Sequence, residues 1–195
     1  MDVVGIIAEY NPFHNGHRHQ IEQVRQHHPD ALCLAVMSGH FTQRGEPAVW
    51  DKWRRAKAAV ENGLDLVVEL PFVFSIRSAQ HFASGGVRLL ARLGVVKALA
   101  FGAESTDIGL LRRLVEKSSQ PETMERLRRF MREGLSYAAA LEAAVSVPPS
   151  APPDLLRQPN TILAIEYLKA IERFSSPLAA LILPREGAAY HTTAV

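Results

Sequence analysis

Two histidines three positions apart, His14 and His17, straddle a glycine in the string His14-Asn15-Gly16-His17. Across the first turn of a helix, that spacing lets both imidazoles reach one group from the same side. Gly16 between them lets the backbone come close to that group. Two imidazoles and a helix N-terminus together can stabilise negative charge developing on a phosphorus under attack. The pair could instead be half of a metal site, although no Cys or carboxylate with ligand spacing accompanies it. Either ring alone could be a surface or capping residue.

The elements that must hold this pair are legible around it. Val3–Ala8 begins as an apolar run, long enough for a buried strand. Asn11-Pro12 breaks it, because proline has no N–H to donate and fixes its own φ. A helical pattern over Gly16–His28 follows, with His17, Gln20, Ile21 and Val24 on one side. Pro29-Asp30 stops the helix, and Ala31–Met37 is a second, fully apolar strand. Strand, helix and strand make a parallel pair with a right-handed crossover. The helix N-terminus then lies at the carboxyl end of the first strand, where ligands sit in open parallel sheets.

The string His14-Asn15-Gly16-His17 after a first strand resembles the HxGH signature of the nucleotidyltransferase superfamily, which transfers AMP from ATP and includes the class I tRNA synthetases. The longer string Glu9-Tyr10-Asn11-Pro12-Phe13-His14-Asn15-Gly16-His17 resembles, more narrowly, the bacterial tRNA(Met) cytidine acetate ligase family. The resemblance implies an ATP-binding stretch made of Ile7, Ala8, Glu9, Tyr10, Asn11, Pro12, Phe13, His14, Asn15, Gly16, His17, Arg18, His19 and Gln20. It implies that His14 and His17 are catalytic, acting on the phosphate transition state.

Three later segments extend the likeness. Ser38–Ala48 is polar and glycine-rich at a second carboxyl strand end, and its His40, Gln43 and Arg44 suit a substrate or nucleotide loop better than a plain connector. Its Gly45-Glu46-Pro47 matches the family, where the loop lies near the active site. Val95–Phe101 reads as a strand that ends in Gly102-Ala103-Glu104-Ser105; a glycine there lets a flat base or ribose press on the backbone, or simply makes a turn. In the family the Phe-Gly-x-Glu glycine, here Gly102, contacts ATP. Pro159-Asn160 opens an amphipathic helix, Thr161–Phe174, for which Asn160 is a good N-cap by type. The resemblance places Asn160 on ATP as well. After a fifth strand, Leu178–Leu183, comes Arg185, a cation suited to phosphate or to stacking on adenine, and a nucleotide contact by resemblance.

The remaining pattern fills in a fold. Asp51 caps a helix over Lys52–Asn62, with Trp53, Ala56 and Val60 expected on its inner side. Lys52 or Arg55 on that helix could hold polyphosphate or RNA, or be plainly solvated. Leu64–Leu70 is a strand and Ser78–Leu93 a helix, in which Ser84-Gly85-Gly86 allows close packing or a kink and His81 packs or caps. From Asp107 to about Val145 the chain reads as helical, with a stripe of Leu110, Leu111, Leu114 and Val115. Arg126, Arg128, Arg129 and Arg132 give it a basic face for RNA or for solvent. Ser146–Pro153 reads as an extended, proline-rich loop. The expected architecture is α/β, a Rossmann-like parallel sheet with helices on both faces plus a helical annex. It forms one domain over residues 1–195, with a helical insertion at about 107–145.

Composition sets outer bounds. Hydrophobic residues make up 47% and charged residues 22% of the 195, as in ordinary globular chains. No apolar run is long enough for a bilayer, no signal peptide is visible, and the single Cys33, in an apolar run, excludes an internal disulfide. A cytoplasmic chain fits. A net charge of +2 does not announce a nucleic-acid binder, so any RNA contact must come from local patches.

The reaction implied by resemblance has two steps: acetate and ATP give acetyl-adenylate and pyrophosphate, then the acetyl group passes to N4 of the wobble cytidine of elongator tRNA(Met). ATP, acetate and that tRNA are the implied partners, with Mg²⁺ carried by ATP and no dedicated metal site. Family members usually carry a later phosphate loop and a helical C-terminal domain, and the sequence closes at Thr192-Thr193-Ala194-Val195 before either, which suggests a short form or a truncated product. Two other readings stay open. One is an adenylyltransferase that makes a small cofactor without RNA; the other is a non-catalytic nucleotide- or RNA-binding remnant.

Overall fold

The computed structural model describes residues 2–145, 147–148, 151–152 and 154–185. Five strands, β1 (Val3–Ala8), β2 (Leu32–Ser38), β3 (Leu66–Leu70), β4 (Val96–Ala103) and β5 (Ala179–Pro184), form one sheet in the order β3-β2-β1-β4-β5. Every pairing is parallel. The helices are α1 (Asn15–His27), α2 (Lys52–Glu61), α3 (Phe72–Ser75), α4 (Ala79–Arg92), α5 (Ile108–Ser119), α6 (Pro121–Arg132), α7 (Tyr137–Ala144) and α8 (Pro159–Arg173), with a 3-10 turn at Leu155–Arg157.

Alternation along the strands divides the interior in two. Val3 and Ile7 of β1 join Leu34, Val36, Leu99 and Phe101 in a core closed by α4, α5, α7 and α8. Val4 and Ile6 join Cys33, Ala35, Ala98 and Ala100 in a second core under α1 and α2. A sheet covered on both faces needs strands apolar on both sides, which is why β1, β2 and β4 read as unbroken hydrophobic runs. The glycine pair of α4 sets its distance from β1 and from α3. A Cβ on Gly86 would lie 2.5 Å from Ile7 Cδ1, and one on Gly85 would lie 2.5 Å from Phe74. Close packing is therefore their role. His81 meets Ser78 at the start of the same helix, 2.9 Å from Nδ1 to Oγ.

Several expectations are corrected. The inward side of α2 is Arg55 and Ala59, while Trp53 is 72% and Val60 46% exposed. Arg55 is fully buried because its guanidinium serves the carbonyls left over where β1 and β2 end: it donates to Glu9 O, Ser38 O and Gly39 O, and to Trp50 O. Arg55 is thus a strut between strand ends rather than a contact for polyphosphate. Lys52 pairs with Glu69 at 2.6 Å. Arg126 of α6 turns from the expected basic face to donate to Ala144 O at 2.8 Å. Asn160 is not a cap; Gln158 holds the N-cap position of α8 and Asn160 lies inside the helix. The short α3 after Pro71 had no periodic signal to announce it. The reading of Ser146–Pro153 as a loop falls partly outside the described residues, as does everything after Arg185.

β2 and β3 lie on one side of β1, and β4 and β5 on the other. The reversal therefore falls between β1 and β4. A crevice at their carboxyl ends is the natural ligand position of such a sheet.

Candidate active site

His14 is the N-cap of α1, with an extended backbone at φ −142°. Its Nδ1 accepts from Gly16 N at 3.1 Å, while His14 N donates to His17 Nδ1 at 3.3 Å. The two histidines thus close a reciprocal capping box in the places more often taken by Ser or Thr and by Glu. Their rings stack at 3.6 Å between centroids, 23° apart. A ring nitrogen that accepts carries no proton, so each neutral imidazole has its hydrogen on Nε2, on the far side of the ring from the helix.

Burial lowers both pKa values. The Arg185 charge adds to this for His14, and the neighbouring His14 and then Arg185 add to it for His17, which is held at about 3. Near neutral pH, His17 is therefore an uncharged Nε2–H donor. Tyr10 and Phe13 wall it in, Tyr10 edge-on at 4.9 Å and Phe13 tilted at 5.6 Å. Tyr10 turns the chain with φ +49°, and the Asn11–Pro12 peptide is cis.

Two sequence expectations change here. The start of α1 does not present a set of free amides: Gly16 N is taken by His14 Nδ1, and His17 N and Arg18 N bond to His14 O. The donors aimed outward are imidazoles. A Cβ on Gly16 would meet the His14 ring at 3.0 Å, so the glycine makes room for the cap.

The rest of the expected stretch divides by position. Ile7 is core, beneath Gly86. Ala8 ends β1 against the second core, that of Val4 and Ile6, Pro12 and Asn15 are exposed, and Gln20 is half-buried. Arg18 pairs with Glu22 at 2.9 Å, and His19 reaches the same carboxylate at 4.0 Å. Glu9 and Asn11 fasten the loop after β2: Gln43 N donates to the Glu9 carboxylate, and Val49 N donates to Asn11 Oδ1 at 2.7 Å. Burial raises the Glu9 pKa, against the pull of that bond and of Arg55. Of the loop candidates, Gln43 also clips Arg77 O with its side chain, while His40 and Arg44 are exposed.

The opposite rim comes from β4, β5 and α8. Gly102 pairs with Leu183 across the β4–β5 ladder. A Cβ on Gly102 would lie 3.2 Å from Arg185 Cγ, so the arginine lies across that glycine and carries its charge toward the histidines. Asn160 Nδ2 donates to Glu104 Oε1 and Thr161 Oγ1 to Glu104 Oε2, both at 2.8 Å. Sequence reading passed over Glu104 as part of a string. Its partners are more than fifty positions away, and no local pattern announces the pairing. Two uncharged imidazole donors, a cation and an amide thus border the crevice, a set suited to an anion joined to a polar ring system.

Comparison with known proteins gives the family. Residues 1–195 match the family model described as HIGH Nucleotidyl Transferase. The tRNA(Met) cytidine acetate ligase of Syntrophotalea carbinolica is 48% identical over 207 residues, covering 100% of this chain and 47% of that protein. The protein of the same name from Syntrophomonas wolfei is 43% identical, covering 99% of this chain and 48% of its own. The crystal structure of apo Thermotoga maritima TmcAL superposes with a TM-score of 0.85 at 35% identity, over 100% of this chain and 48% of that one. A form of the same protein bound with alpha-thio ATP matches equally well over 98% of this chain. The chain spans about half the length of the curated relatives it matches. With the family model matched from end to end, and the parallel sheet and paired histidines in place, the chain belongs to the HIGH nucleotidyltransferase family.

Proposed function

We propose that this chain binds ATP in the crevice between β1 and β4 and catalyses the adenylation half of a tRNA(Met) cytidine acetate ligase reaction. The observation that carries the reading is the reciprocal cap of α1, which commits both Nδ1 atoms to the helix and leaves two Nε2–H donors side by side. The names of the relatives and the ATP analogue bound to the Thermotoga protein support it.

In the proposed reaction an acetate oxygen attacks the α-phosphorus of ATP, the bond to the bridging oxygen breaks, and pyrophosphate leaves. His14 and His17 donate from Nε2 to oxygens on which charge builds, preorganised by the cap so that little reorganises during reaction. Arg185 adds a cation at the facing rim. Gly102 and Asn160 border the nucleoside, with the stretch Ile7–Gln20 as the floor of the ATP site and the loop of His40, Gln43 and Arg44 toward the second substrate. In the second step the cytidine N4 attacks the acetyl carbonyl, AMP leaves and the amine loses a proton. Mg²⁺ carried on the triphosphate is part of the same proposal; among the described residues no three His, Cys, Asp or Glu side chains are grouped to hold a metal ion. Also among the described residues, no helix is long and apolar enough to cross a membrane. A cytoplasmic site of action, with elongator tRNA(Met) as acceptor, belongs to the same proposal, as does residues 1–195 working as one domain with a helical insertion at about 107–145.

The test is ATP–pyrophosphate exchange on the full chain, with and without acetate. Exchange that requires acetate supports the reading. Exchange that ignores acetate but follows another acid moves the chain to a small-molecule adenylyltransferase. ATP binding with no exchange leaves a nucleotide-binding module and overturns the catalytic claim.

A further inference from the structure

Glu104 stands just beyond the end of β4, two residues after Gly102, and makes two side-chain bonds to the first turn of α8. An ionised carboxylate only accepts, so the Asn160 atom that faces it must be the amide NH₂. The Asn160 carbonyl oxygen is then turned away from Glu104. Thr161 Oγ1 holds the second carboxylate oxygen, and Thr161 is fully buried, so Glu104 itself has one orientation rather than several. The contact chain runs on from there. Gly102 lies under Arg185, and Arg185 is close enough to His14 and His17 to lower their pKa values. β4 pairs with β1, whose carboxyl end leads to the paired histidines, so the fixed amide stands at the same edge of the sheet as they do.

We infer that Glu104 is a positioning residue that locks the Asn160 amide so that its carbonyl oxygen accepts a hydrogen bond from the bound nucleoside. This rests on the nucleotide reading of the site and deepens it. An acceptor in a fixed direction selects a ligand that brings a donor: the exocyclic amine of adenine or a ribose hydroxyl. A free asparagine could offer either end of its amide and would select neither, because the carboxamide turns to match donor or acceptor alike.

The experiment is calorimetric titration of the full chain and its variants with ATP, ITP (a keto oxygen in place of the adenine amine), 2′-deoxy-ATP and 3′-deoxy-ATP, with thermal melts run alongside. The wild-type chain should bind ATP about tenfold more tightly than at least one of the three analogues, and that analogue names the donor. Glu104→Ala should weaken ATP about tenfold and leave the disfavoured analogue almost unchanged, so that the preference collapses. Glu104→Gln, whose carbonyl can still face Asn160 while its amide meets Thr161, should keep the preference. The inference is overturned if Glu104→Ala leaves the preference intact, or weakens all four nucleotides alike as a purely structural defect would. A wild-type chain that binds ATP and all the analogues equally overturns it too. A wild-type chain that binds no ATP removes the nucleotide reading itself, and this inference with it.

Discussion

The helices α1 and α8 both begin at the carboxyl edge of the sheet, and they finish their N-termini in opposite ways. At α1 the closure is local: His14 and His17 bond each other's neighbourhood within a single turn. At α8 the chain supplies no cap of its own. Gln158 makes no side-chain capping bond, Pro159 has no N–H, and the carboxylate near the helix start comes from Glu104 at the end of β4. A negative group there suits the positive end of the helix dipole, just as uncharged rings at α1 avoid placing a cation against it. One rim is fixed by four consecutive residues; the other exists only when β4, β5 and α8 have come together.

The largest effect should follow from breaking the frame beneath the local rim. Arg55 is fully buried and its guanidinium serves four carbonyls from the ends of β1 and β2 and the loop that follows. Arg55→Met keeps the volume and loses every donor, and the carbonyls left in the interior cost about 3 kcal/mol or more. Urea unfolding would read this loss; a change below about 1 kcal/mol would show that water replaces the guanidinium at little cost. The same variant should loosen the loop that carries Gln43 while leaving the Glu104 clamp intact.

Next in size is the chemistry of the local rim. His17→Ala removes one outward donor and half of the cap. The exchange rate should fall by about 10²–10³, the scale for a single donor to developing negative charge. ATP affinity should change far less, because the interaction is strongest in the transition state. A variant that loses binding and turnover in equal measure would make His17 a ground-state contact. At the other rim Arg185 lies across Gly102; if the proposed nucleotide site is right, Arg185→Ala should weaken ATP about tenfold, with a smaller further loss in turnover. Equal ATP affinity in that variant would detach Arg185 from the site.

The contrast also explains what could be read from sequence. The strands were legible because a sheet covered on both faces demands unbroken apolar runs, and the His pair because its spacing and its cap are both contained in one turn. The double role of the pair was not legible: nothing in His-Asn-Gly-His says that both Nδ1 atoms turn inward and both Nε2 atoms outward. Arg55 read as part of a charged outer face because periodicity sees residue type, whereas the carbonyls that pull it inward come from two other elements. Glu104 and Asn160 were each in view, yet their bond depends on how far β4 runs and on where α8 starts. Gly102, expected beyond the strand, lies inside β4, and that single shift sets Glu104 at the helix.

A pH profile of stability separates the two rims. The His17 pKa lies at about 3 in the folded chain, through burial first, then His14, then Arg185. In the unfolded chain an imidazole titrates near 6.5. Between about pH 3 and 6.5 the unfolded state therefore binds a proton that the folded state refuses. Stability rises with pH across that window, is fully present above it, and is lost as the solution is acidified. One such group contributes a slope of at most about 1.4 kcal/mol per pH unit. His17→Asn, which retains an acceptor for His14 N, should flatten the profile of urea-unfolding free energy between pH 4 and 6.5. Arg185→Ala should flatten it in the same direction by less, because its charge is the last of the three causes. If the His17→Asn profile is as steep as that of the wild type, the acid sensitivity lies elsewhere and His17 is not held neutral by its surroundings. If Arg185→Ala flattens it more than His17→Asn does, the charge at the β5 end governs the pair, and the two rims are coupled more tightly than their separate construction implies.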